Sequence, residues 1–140
     1  MAKKRELPPP TMPVLLICDQ VIRDGSPAGK PSLIGVFNGI YASEFPAVHP
    51  RMTLFFQLTN GHGKVKLTLR MVDVGDAEKD IHGPLEFEVE FSDARQTIES
   101  QVQVLGVTIP RPGEYRVQIY AGNVLLGERK FVGSLITPKN

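Results

Sequence analysis

The sequence predicts an all-β chain built as two antiparallel sheets packed face to face. Three observations carry that expectation. Apolar residues recur at every second position over several stretches, as in Val65, Leu67, Leu69 and Met71. That is the period of a strand with one face on a core and the other in water. The 13 Gly and 12 Pro fall mostly between such stretches, which suits many short strands joined by turns. No window repeats convincingly at the 3.6-residue period of a helix.

Size and charge narrow the classes further. With 140 residues the chain has room for one hydrophobic core and little for a second. A domain of this length buries roughly 68–70% of its unfolded surface, so it needs no disulfide or metal to fold. The net charge of +1 gives no electrostatic drive toward nucleic acid or an anionic membrane. No stretch approaches the ~20 apolar residues of a membrane span. Lys3, Lys4 and Arg5 precede an apolar run, but Val14–Cys18 is too short for an export signal and ends on Asp19. Bulky Ile17 also stands where a lipoprotein cleavage site takes a small residue. The lone Cys18 forms no internal disulfide, and these features together predict a cytoplasmic protein.

Eight strands are expected, near 13–22, 32–42, 52–59, 64–73, 85–91, 97–107, 114–121 and 124–133. They make one sandwich domain over 13–135, between a basic, proline-rich leader (1–12) stiffened by Pro8-Pro9-Pro10 and a tail (136–140). The first two strands are apolar on both sides in places. Either their outer faces are covered by loops and the leader, or they join a subunit interface. The Gly25–Lys30 loop between them lacks phosphate-loop spacing and precedes a strand, so it reads as a hairpin connection. In 52–59, Met52, Leu54, Phe56 and Leu58 alternate with Thr53, Phe55 and Gln57. Strand 64–73 presents Lys64, Lys66, Thr68 and Arg70 to water, and 85–91 presents Glu86, Glu88 and Glu90. Paired as neighbours, Lys64, Lys66 and Arg70 lie opposite Glu90, Glu88 and Glu86, worth roughly 0.2–1 kcal/mol per pair. The alternative is an acidic strip for a basic protein partner. Residues 93–100 have the makings of a short helical turn. Pro112-Gly113 and Gly122-Asn123 mark the turns that bound the last two strands.

Residues 112–127 resemble the last hairpin of an immunoglobulin-like sandwich, with Tyr115 placed as a tyrosine corner. Leu16–Asp19, the Lys30–Ile40 block with its Ser32-Leu33-Ile34-Gly35-Val36-Phe37 core, and Phe45-Pro46 resemble an uncharacterised family of small bacterial proteins. That resemblance implies an immunoglobulin-like β-sandwich over most of 14–133 and brings no assigned activity, so no catalytic residue is carried over from it. Gly35 and Gly39 suit a bulge or a close backbone approach on a crowded strand.

Several residue groups carry potential chemistry. Asp73, Asp76 and Asp80 share one loop, but the spacing matches no calcium loop and Lys79 puts a positive charge among them. His49 and His82 fall in predicted loops at one end of the sandwich, with His62 at the other, and a His49–His82 pair near Asp76 and Asp80 is the candidate metal or ligand site. Nothing matches a nucleophile elbow, and Cys18 has no histidine near it in sequence. No catalytic residue and no cofactor are expected. Asp19 follows an apolar run and is expected to be partly buried. Phe55 and Tyr120 fall on outward positions, where an aromatic anchors a partner. The functional expectation is a non-catalytic protein-binding or assembly module, with self-association into a homodimer. The alternative is a ligand- or metal-binding domain, or an enzyme, using loops at one end.

Overall fold

The computed structural model describes residues 7–137. The leader residues Lys3, Lys4 and Arg5 and the end of the tail, 138–140, lie outside the described residues. Nine strands form two sheets: β1 (Thr11–Arg23), β2 (Pro31–Val36), β3 (Gly39–Ala42), β4 (Ala47–Thr59), β5 (Gly63–Asp73), β6 (Lys79–Phe91), β7 (Ile98–Ile109), β8 (Gly113–Ala121) and β9 (Val124–Leu135). One sheet has the order β2-β1-β4-β7, the other β3-β9-β8-β5-β6. Among the described residues no helix is long and apolar enough to cross a membrane.

The order is that of an immunoglobulin-like sandwich. Strands β5, β8 and β9 take the places of C, F and G, with β6 beside C, and β1, β4 and β7 take those of A, B and E. Among the described residues no strand extends the sheet beyond β7; β2 extends the opposite edge instead. All pairings are antiparallel except β3 with β9, which is parallel. Gly122 takes φ 58° in the turn between β8 and β9, the positive value a two-residue II′ hairpin needs at its first central position.

Alternation decides which residues meet between the sheets. Met52, Leu54, Phe56 and Leu58 of β4 face Leu67, Leu69 and Met71 of β5 and Tyr115, Val117 and Ile119 of β8 in one buried cluster. Leu85, Phe87 and Val89 of β6 pack against it from the edge. At the centre Tyr115 stacks on Phe131, ring centroids 5.4 Å apart. Its hydroxyl donates to the Arg111 carbonyl and accepts from the Arg111 amide at 3.2 Å. Burial pushes the phenol pKa up, so this bond stays that of a neutral hydroxyl. It is the tyrosine corner, holding the loop before β8 to the core. Arg111 is held a second time, by Asp73 at 2.8 Å.

Four sequence expectations need correction. The 32–42 strand is two strands in different sheets, separated at Phe37-Asn38, which raises the count from eight to nine. Thr11 and Met12, assigned to the leader, already belong to β1. The 93–100 segment is no helix: Asp93 closes a tight turn by accepting from the Gln96 amide at 2.9 Å, and β7 starts at Ile98. Lys64 and Lys66 do lie opposite Glu90 and Glu88, but Thr68 lies opposite Glu86. An irregularity between Leu69 and Met71 shifts the register, and Arg70 pairs with Asp80 at 3.0 Å instead.

The corner bond is testable in isolation. Tyr115→Phe keeps the ring stack and removes the hydroxyl, leaving the Arg111 amide and carbonyl without that partner. Urea denaturation is expected to show a loss of about 1–3 kcal/mol with an unchanged m-value. An unaltered midpoint would mean that the corner contributes nothing to this sandwich.

Candidate functional site

The chain changes sheets between β2 and β3, and an open cleft forms at that crossing. Ile17 on the core-facing side of β1 is fully buried, and Asp19 is the next residue on that side. Here the sandwich is opening toward its edge, so the carboxylate reaches water. Across from it on β2 stands Gly35 at φ 67°, a value L side chains rarely adopt. A Cβ there would lie 2.3 Å from Asp19 Oδ2. Glycine therefore serves twice, by its backbone angle and by leaving room for the carboxylate.

The next residues close the cleft. The Phe37 amide donates to the Ile17 carbonyl in one sheet, and the Asn38 carbonyl accepts from the Val132 amide in the other, both at 3.0 Å. Phe37 then packs its ring against His49 of β4, with centroids 5.3 Å apart. Tyr41 on β3 is 68% exposed and lies over Gly39. The cleft has a volume of about 290 Å³ and is lined by Asp19, Gly35, Phe37, Gly39, Tyr41 and His49, with Val36 and Ile40. His49 Nε2 is buried without a hydrogen-bond partner among the described residues. No described residue pairs with the Asp19 side chain, whose backbone carbonyl accepts from Thr53 Oγ1 at 3.0 Å.

The structure separates most of the other candidates. His49 and His82 lie in strands β4 and β6, not in loops. Asp73 is engaged by Arg111 and by the Gly75 amide, Asp80 by Arg70, and Asp76 lies exposed in a 3-10 turn (Val74–Asp76). Among the described residues no three His, Cys, Asp or Glu side chains gather as a metal site. Phe55, expected outward and exposed, is only 5% exposed, because β4 is a central strand flanked by β1 and β7. Its register partners are Leu16 and Gln101. Tyr120 is half-buried, and its hydroxyl bonds Gln118 at 3.3 Å within a polar sheet face. Glu86, Glu88 and Glu90 are exposed along β6, with Glu86 bonded to Lys66 at 3.0 Å. Burial raises the Cys18 thiol pKa, which disfavours the reactive thiolate.

Sequence reading found Asp19, Gly35 and Gly39 separately. It did not anticipate Tyr41 as a cleft residue or the packing of His49 against Phe37. The available signal was the glycine pair inside an apolar block, a mark of close backbone approach.

The chain belongs to DUF6941, a family of unknown function, whose model matches residues 13–132. No curated protein matches it. Among solved structures, an immunoglobulin-like protein from Pseudomonas aeruginosa is similar, with 19% identity, a TM-score of 0.42, and coverage of 82% of this chain and 97% of that one. The Pseudomonas fluorescens alkylpurine DNA glycosylase AlkC, bound to DNA containing an abasic site analog, is similar at 15% identity with the same TM-score. That match covers 85% of this chain and spans 30% of the glycosylase chain. At these identities and TM-scores neither structure bears on what this chain binds.

Gly35→Ala tests the local geometry. A left-handed alanine costs about 1–2 kcal/mol, and the added Cβ displaces the Asp19 carboxylate. Denaturation is expected to show a loss of that size. Asp19→Ala in the same background should restore only the steric part, leaving the backbone strain.

Proposed function

We propose that this chain is a non-catalytic protein-binding or assembly module, and that its working edge is β2, paired with a second copy of the chain about a two-fold axis. The observation that carries this reading is an uncharged edge strand, β2, with apolar side chains exposed beside it. Strand β6, at the far edge of its sheet, bears Glu86, Glu88 and Glu90 at alternate positions and Pro84 within the strand. Charges and prolines of this kind discourage a sheet edge from pairing with another chain. Strand β3 is only four residues long, another common protection. Strand β7, the other edge of the β2 sheet, carries one charge in its 12 residues, Glu99, which is paired with Arg23; strand β2 has six residues, none charged, and no such device beyond Pro31 at its first position.

The apolar surface beside β2 supports the same reading. Ile34 and Val36 are 46% and 53% exposed, and Ile22, opposite Ser32 on β1, is 44% exposed. They share the outer face of the four-stranded sheet. Antiparallel pairing of two β2 strands continues the sheet and sets the two patches side by side, an isologous contact. A buried Cys18 with a raised pKa and no disulfide suits a reducing cytoplasm, where we place the protein. The second reading, ligand binding at one end, is favoured by one observation, the unpartnered His49 Nε2 in the cleft.

Light scattering across a wide concentration range tests the assembly reading. The expected result is a dimer that Ile34→Lys converts to monomer, with circular dichroism unchanged because the side chain is exposed. A wild-type chain that is monomeric at every accessible concentration overturns the proposal.

A further inference from the structure

The cleft at the sheet crossing combines two groups without a partner among the described residues, one open to water and one buried. The Asp19 carboxylate is an anion with no cationic side chain bonded to it among the described residues, and His49 Nε2 is a buried ring nitrogen without a partner. Among the described residues no lysine or arginine lines the cleft, and its remaining walls are the aromatic rings of Phe37 and Tyr41 and the backbone at Gly35 and Gly39.

We propose that this cleft is a binding site for a small organic cation, an ammonium or guanidinium group. Each wall suits that chemistry. A carboxylate accepts charge-assisted hydrogen bonds from N–H donors. The Tyr41 hydroxyl offers a second acceptor, and His49, whose Nε2 is buried, backs the wall beside Phe37. Phe37 and Tyr41 present ring faces to which a cation is attracted. The competing ligand classes fit worse. An anion meets Asp19 with nothing to offset the repulsion. A purely apolar ligand displaces water from the Asp19 carboxylate and gives it no partner in return. A transition metal asks for three or more ligating side chains, and the described residues gather no such group. The cleft volume, about 290 Å³, accommodates one such group with its alkyl stem. The site stands on the cleft alone and does not require that β2 pair with anything.

Nuclear magnetic resonance on the full chain tests the inference. The signals of the Gly35 and Gly39 amides and the His49 ring are followed during titration with methylguanidinium chloride, against sodium chloride at equal ionic strength. A second titration uses a capped pentapeptide, acetyl-Thr-Val-Arg-Val-Thr-amide. Saturable shifts confined to the cleft are expected. Asp19→Asn should weaken binding by about tenfold, the loss of one charged hydrogen-bond acceptor. Tyr41→Phe, at an exposed position, should weaken it less. Similar affinities for the two probes identify a free small cation as the ligand class. A peptide bound at least about tenfold more tightly identifies a basic side chain carried on an extended segment. Absence of saturable shifts with both probes, or an unchanged affinity in Asp19→Asn, overturns the site. Neither result depends on the oligomeric state, so failure here leaves the assembly reading to its own test.

Discussion

The crossing at Phe37 and Asn38 is the constraint on which the rest of this structure depends. Two adjacent residues bond to opposite sheets, one to Ile17 and one to Val132. The chain therefore passes directly from one sheet to the other, without a loop in between. That passage allows β3 to lie parallel to β9, a pairing no hairpin supplies, and it places Ile40 in the core. It also props the sandwich open beside β1, so that a core-facing position, Asp19, meets water.

Immunoglobulin-like sandwiches place much of their stability in the contacts between sheets, and this one follows the rule without a disulfide. Cys18 is free and buried. The work of tying the β8 corner down falls to Tyr115 and to Arg111, held by the corner hydroxyl and by a buried Asp73. Asp73 is only 2% exposed, whereas Arg111 retains access to water. Such an arrangement avoids the full cost of burying both ions while still satisfying the carboxylate. The same Asp73 caps the short turn after β5 through the Gly75 amide, so one side chain organises two connections at that end of the molecule.

The strands with strict alternation were legible because their information is local. Residues 64–71, 85–91 and 114–121 each carry a face pattern that a one-residue slip would invert, so the period alone oriented them. The first two charge pairs of β5 and β6 followed from that pattern, and the third failed because the same register sets Glu86 opposite Thr68, two residues before Arg70. The 32–42 segment reads as one apolar run, because apolar continuity does not distinguish one long strand from two short ones that bury opposite faces. Phe55 misled for a related reason: alternation gives the face a residue points to, whereas coverage of that face depends on neighbours distant in sequence. The cleft was the least legible part. Asp19, Gly35, Tyr41 and His49 come from four strands, and it takes the pairing of β1 with β2 and β4 together with the crossing to β3 to bring them to one place.

This corner of the molecule also concentrates features that a chain selected for stability alone would remove. A buried polar atom without a partner costs about 1–3 kcal/mol, a large share of the 5–15 kcal/mol that typically separates folded from unfolded domains. A phenylalanine or leucine at position 49 would remove that cost while keeping contact with Phe37. An uncharged edge strand exposes Ile34 and Val36 to chance association, although one lysine would guard it, as the glutamates guard β6. Both departures from the stable choice fall within one segment, residues 34–49. Strand β6, at the far edge of the other sheet, shows neither, and that contrast supports the proposal that the crossing is the working surface.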